Sequence, residues 1–117
     1  MKPKLESAYI AVDNIERAIN FYELFLERKV IKKAKSLYLF DIDGFRLFLF
    51  DHKKENEKID FGDNCLLSFE VDDAKRTKEK IENYGLNIVF KLTEILDNIV
   101  FEFEDPEGNH IEVFSKS

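Results

Sequence analysis

The alternation of apolar and polar positions predicts two rounds of one strand, one helix and three further strands. Residues 6–12 (ESAYIAV) put Ala8, Ile10 and Val12 on one face of a strand and Ser7, Tyr9 and Ala11 on the other. Asp13-Asn14 then offers side-chain oxygens that can accept from free helix N–H groups. Ile15, Ala18, Ile19 and Tyr22 follow at helical spacing, continuing to Phe25 and Leu26, with Glu16 in the first turn where the helix dipole favours it. Residues 29–34 and Leu37–Ile42 read as strands, Asp43-Gly44 as a hairpin turn, and residues 45–50 as the returning strand. Residues 51–58 (DHKKENEK) are polar throughout and read as a linker, with His52 a solvated surface residue.

The pattern then restarts. Residues 64–71 (NCLLSFEV) form a strand, Asp72-Asp73 the next cap, and Ala74, Ile81 and Tyr84 the buried stripe of a second helix that Gly85 ends. Residues 86–92 and 99–104 are strands around a turn near Leu96-Asp97-Asn98. Asp105-Pro106-Glu107-Gly108 is a strong turn signal, and residues 110–114 make the last strand. Tyr9-Ile10-Ala11-Val12-Asp13-Asn14 aligns with Ser68-Phe69-Glu70-Val71-Asp72-Asp73, and residues 44–50 (GFRLFLF) align with 108–114 (GNHIEVF). A repeat of this length means two similar units. The fold class is α+β, a single domain over residues 1–117 of paired β-α-β-β-β modules: one at about 5–51, a polar linker at about 52–62, and another at about 63–115.

Composition narrows the field. A net charge of −6 disfavours nucleic acid and anionic membranes as partners. No apolar run approaches the roughly 20 residues of a membrane helix, and the first residues carry no secretory h-region, so a cytoplasmic protein is expected. The charge is uneven: residues 1–58 hold 12 Lys/Arg against 10 Asp/Glu, and residues 59–117 hold 6 against 14. That +2/−8 split suits pairing of the two halves within or between chains, and equally suits loosely constrained surface charge. The lone Cys65, with Asp63 nearby and no basic neighbour, reads as an inert thiol. Twelve Phe and no Trp supply apolar area without a polar handle.

Two segments carry a resemblance to a known family. One is Val12-Asp13-Asn14-Ile15-Glu16-Arg17-Ala18-Ile19-Asn20-Phe21-Tyr22; the other, more specific, is Phe103-Glu104-Asp105-Pro106-Glu107-Gly108-Asn109-His110-Ile111-Glu112. Both are similar to the vicinal oxygen chelate superfamily, the glyoxalase/bleomycin-resistance/dioxygenase group. The resemblance implies a cleft between paired units and, in metal-dependent members, a divalent ion held by His and Glu side chains at four strand positions. Those positions map here to Ser7, Phe48, Leu66 and Glu112, of which Glu112 alone is a plausible ligand. A catalytic divalent site needs about three protein donors with lone pairs, so the expectation is no metal and no cofactor. His110, Glu112 and Glu70 on like-facing positions leave an unusual His-Glu-Glu site conceivable.

Strand parity gives the cleft-facing set as Tyr9, Arg46, Phe48, Phe50, Ser68, Glu70, His110, Glu112 and Phe114; all but Phe114 are taken as ligand-binding candidates. Arg46 or the Tyr9 hydroxyl is expected to satisfy Glu112, unless Glu112 is an inherited residue on a partly wet strand. Phe48 either walls a pocket or plugs a disused cavity. The leading expectation is a metal-free protein that sequesters an apolar or aromatic small molecule, with a homodimer implied by the resemblance. The alternatives are a lyase, isomerase or dioxygenase using a nonstandard metal site or Glu112 as general base, and a structural or regulatory module filled by its own Phe side chains.

Overall fold

The computed structural model describes residues 1–2, 4–58 and 65–117. Two compact units divide the chain, residues 1–60 and 61–117. The linker's final residues and the expected start of the second module, including Asn64, fall outside the described residues.

In the first unit β1 (Ser7–Val12) leads into α1 (Ile15–Leu26), then β2 (Ile31–Lys32), β3 (Leu37–Ile42) and β4 (Phe45–Asp51). The sheet order is β1-β4-β3-β2, with β1 parallel to β4 and the other pairs antiparallel. The helix starts where expected, because the Asn14 side chain accepts from the Arg17 N–H at 3.1 Å. Asp43 (φ 51) and Gly44 (φ 95) both take positive φ, the geometry of a two-residue hairpin turn, and Asp41 accepts from the Gly44 N–H at 2.8 Å. Ile10, Val12, Tyr38, Phe40, Leu47 and Leu49 are buried on one face of the sheet. They meet Ala18, Phe21 and Tyr22 of α1, with Tyr22 and Phe40 ring centroids 6.5 Å apart. Each such side chain contributes roughly 1.5–3 kcal/mol on burial.

The second unit repeats the plan with β5 (Leu67–Glu70), α2 (Ala74–Tyr84), β6 (Ile88–Ile95), β7 (Asn98–Glu104) and β8 (His110–Lys116), in sheet order β5-β8-β7-β6. Asp73 caps α2 at the Arg76 N–H, 3.1 Å away, and Gly85 at φ 96 ends it. Phe101, Phe103, Ile111 and Val113 are buried on the helix side, where Ser115 accepts from the Ala74 N–H at 3.0 Å. The Asp105 turn is a knot of its own: one carboxylate oxygen accepts from the backbone N–H groups of Glu107 (2.9 Å) and Asn109 (2.8 Å).

Several sequence expectations need correction. Only Ile31–Lys32 of residues 29–34 pair as a strand, because Lys33 and Ala34 turn back onto Leu37, their N–H groups donating to its carbonyl at 2.9 and 3.2 Å. Tyr84 is 44% exposed and does not join the α2 stripe, which rests on Ala74 and Ile81. The polar stretch after β4 is no simple linker: residues His52–Glu55 form a 3₁₀ turn, and His52 and Asp51 are buried. Polarity there misleads because those polar groups bond to the protein rather than to water.

Candidate functional site

Helix packing on one face leaves the opposite face of each sheet for function. In the first unit the pairing of β1 with β4 sets Ser7 beside Arg46, Tyr9 beside Phe48 and Ala11 beside Phe50. Parity therefore puts Tyr9, Arg46, Phe48 and Phe50 on the helix-free face, as the alternation predicts. The Tyr9 and Phe48 rings stack at 4.8 Å with 17° between their planes. The Arg46 guanidinium carbon lies 5.1 Å from the Phe48 centroid, a cation–π distance. Phe48 is 4% exposed, whereas Tyr9 is 59% exposed. One ring is thus a buried footing and the other an available platform. Arg46 is anchored by Glu6, Nη1 to Oε1 at 2.6 Å. That bond, followed by one from Ser7, holds the Glu6 carboxyl below its ordinary range.

The equivalent pairs in the second unit carry different chemistry. Ser68 sits beside Glu112, and Glu70 beside Phe114, along β5 and β8. The Ser68 hydroxyl donates to Glu112 Oε2. So where the first unit stacks Tyr9 on Phe48, the second joins a hydroxyl to a carboxylate. Glu102 lies across from Glu112 and Glu104 across from His110, with His110 Nε2 3.6 Å from Glu104 Oε2. The sequence reading missed Glu102 and Glu104, although their alternation with Phe101 and Phe103 marks them as facing away from the helix.

Glu112 has a hydrogen-bond partner within its own sheet. Arg46 bonds Glu6, the Tyr9 ring is occupied with Phe48, and Glu112 takes its hydrogen bond from Ser68. The strand neighbour satisfies the carboxylate locally, which parity alone does not disclose. Beside Tyr9 lies an open depression of about 610 Å³ lined by Tyr9, Ser36, Leu37, Phe50, Glu55 and Glu57. Of the sequence candidates it gathers Tyr9 and Phe50.

The positions mapped as metal ligands do not suit a divalent ion. Phe48 and Leu66 have no lone pair to give, Ser7 bonds Glu6, and Glu112 is engaged by Ser68. Arg46 adds a fixed positive charge at the first unit's contribution. The conceivable His110-Glu112-Glu70 set does not gather either: His110 approaches Glu104, and among the described residues no three His, Cys, Asp or Glu side chains group as a metal site. Cys65 is an exposed free thiol.

His52 departs furthest from expectation. It is 7% exposed, with Nδ1 2.6 Å from the Glu57 carbonyl oxygen and Nε2 2.5 Å from Asp13 Oδ1. The Glu57 carbonyl first, and then Asp13, push its pKa above the ordinary 6.5, while the His52 bond lowers that of Asp13.

Solved structures with this fold are numerous. A protein from Agrobacterium tumefaciens, solved by solution NMR, matches with a TM-score of 0.80 at 18% identity, covering 99% of each chain. A virulence protein from Salmonella typhimurium matches at 0.76 and 18% identity, covering 100% of this chain and 99% of its own. A glyoxalase/bleomycin resistance protein/dioxygenase from Nocardioides matches at 0.75 and 15% identity, covering 99% of this chain and 85% of its own. No helix among the described residues is long and apolar enough to cross a membrane. The family model covering residues 4–113, together with the duplicated topology, establishes that the chain belongs to the Glyoxalase/Bleomycin resistance protein/Dioxygenase superfamily.

Proposed function

We propose that this chain is a metal-free small-molecule-binding protein that takes a planar, apolar or aromatic ligand against the helix-free face of its first unit. The observation that carries the reading is the Tyr9–Phe48 stack at a position where the superfamily places a metal ligand. A donor has been replaced by an aromatic footing, and the exposed Tyr9 ring adjoins a depression whose other apolar walls are Leu37 and Phe50. Apolar walls with few polar groups are the usual make-up of such sites. The +2/−8 charge split is compatible with a homodimer, and the single cysteine suits a cytoplasmic setting.

Thermal shift against a panel of planar aromatic compounds tests the reading, with Tyr9→Ser as control. A ligand at a hundredfold excess over its Kd adds about 2.7 kcal/mol of stability, and that gain should vanish in the variant. Metal analysis of protein purified without chelator should find well below one ion per chain; a full equivalent refutes the metal-free reading. Catalysis through Glu112 as general base is the second reading, favoured by the Ser68 hydroxyl that orients its carboxylate. Turnover abolished by Glu112→Gln would select it.

A further inference from the structure

The buried His52 stands between two groups that can only accept: the Glu57 carbonyl oxygen at 2.6 Å and the Asp13 carboxylate at 2.5 Å. A neutral imidazole carries one N–H, so it can serve one of them and must turn a lone pair toward the other. Only the imidazolium satisfies both. With Asp13 ionised, the geometry therefore favours a charged ring in this fold.

The two acceptors belong to different parts of the first unit. Asp13 lies in the turn between β1 and α1, while Glu57 lies two residues past the 3₁₀ turn that follows β4. That segment folds back on itself: the Asn56 N–H donates to the Lys53 carbonyl at 3.2 Å, and the Glu57 N–H to the His52 carbonyl at 3.1 Å, with Asn56 at φ 56. Its Glu55 and Glu57 form one wall of the depression beside Tyr9. Among the described residues, Lys54 Nζ also ties it, reaching the Lys35 carbonyl at 3.2 Å and the Tyr38 hydroxyl at 3.4 Å.

We propose that His52 is a proton-operated latch: charged, it ties the segment after β4 to the β1–α1 turn and holds the acidic wall of the depression in place. On deprotonation the ring keeps one acceptor and releases the other, and the wall loosens. This regulation rests on the small-molecule reading of the depression only for its consequence, not for its geometry. Charged groups of both signs surround the ring. Asp13 opposes the imidazolium directly, Lys53 adjoins it on the same segment, and Arg17 of α1 acts on Asp13. The Asp51 carboxylate at the end of β4 is 3.8 Å from Lys54 Nζ. Burial works against the charge, and the two hydrogen bonds work for it, the Glu57 bond most.

The test uses the intact chain, in which His110 is the only other histidine. Nitrogen NMR of the ring should find both His52 nitrogens protonated at about pH 6 and a midpoint above that of a free imidazole. Amide exchange, corrected for its intrinsic pH dependence, should lose roughly tenfold or more protection at Asn56 and Glu57 between about pH 6 and pH 9. His52→Gln should abolish that pH dependence, and Asp13→Asn should move it to lower pH. A neutral fluorescent probe, N-phenyl-1-naphthylamine, should bind more weakly above the midpoint in the wild type and without pH dependence in His52→Gln. A single protonated nitrogen at pH 6, or pH-independent exchange in the wild type, overturns the latch whatever the probe does. If exchange responds but the probe binds at neither pH, the latch stands and the small-molecule reading of the depression falls.

Discussion

Truncating the buried footing of the candidate site, Phe48→Ala, is the most exacting test of its architecture. The ring is 4% exposed, stacks on Tyr9 at 4.8 Å and lies 5.1 Å from the Arg46 guanidinium carbon. Loss of a buried Phe costs about 3–5 kcal/mol in transfer and cavity terms. Tyr9 is largely solvated and can fall part-way into the gap, so the value expected is about 4 kcal/mol. With a urea m-value of about 2 kcal/mol per molar, the midpoint should fall by about 2 M at unchanged m. A loss below about 1.5 kcal/mol refutes the claim that Phe48 is structural footing. The stack is tested separately by the double-mutant cycle of Phe48→Ala with Tyr9→Ser. A coupling near 1 kcal/mol is expected, and none refutes the stack. A drop in ligand affinity in Tyr9→Ser, whose effect on stability is the smaller of the two, separates platform from footing.

Other perturbations have defined outcomes. Asp105→Ala removes the acceptor of two backbone N–H groups in a buried turn and should cost about 3 kcal/mol by urea denaturation. Asp73→Ala should cost about 1 kcal/mol by the same measure, because Asp73 caps α2. The His52–Asp13 pair makes stability depend on pH at both ends. Since the His52 pKa is raised, its contribution is complete below about pH 6.5 and is lost as pH rises through the folded value. The Asp13 pKa is lowered, so its contribution is present above 3.8 and lost as pH falls through the folded value. Thermal melts across pH should show both flanks in the wild type and lose the alkaline one in His52→Gln.

Much of this protein is legible in its amino-acid order because the governing forces are local or periodic. Alternation in residues 7–12 and 45–51 determines which side chains face away from the helix, since a strand turns its side chains every residue. Asn14, Asp73 and Asp43-Gly44 set element boundaries through bonds made within three residues or through backbone sterics. The repeat and the Asp105-Pro106-Glu107-Gly108-Asn109 turn carry the family. Tertiary structure alone decided which polar groups meet. Arg46 bonds Glu6, 40 residues away, and His52 finds Asp13 across 39 residues. Such pairings depend on strand register and side-chain reach, so a histidine inside a polar run reads as solvated until the fold brings a carboxylate and a carbonyl to its two nitrogens.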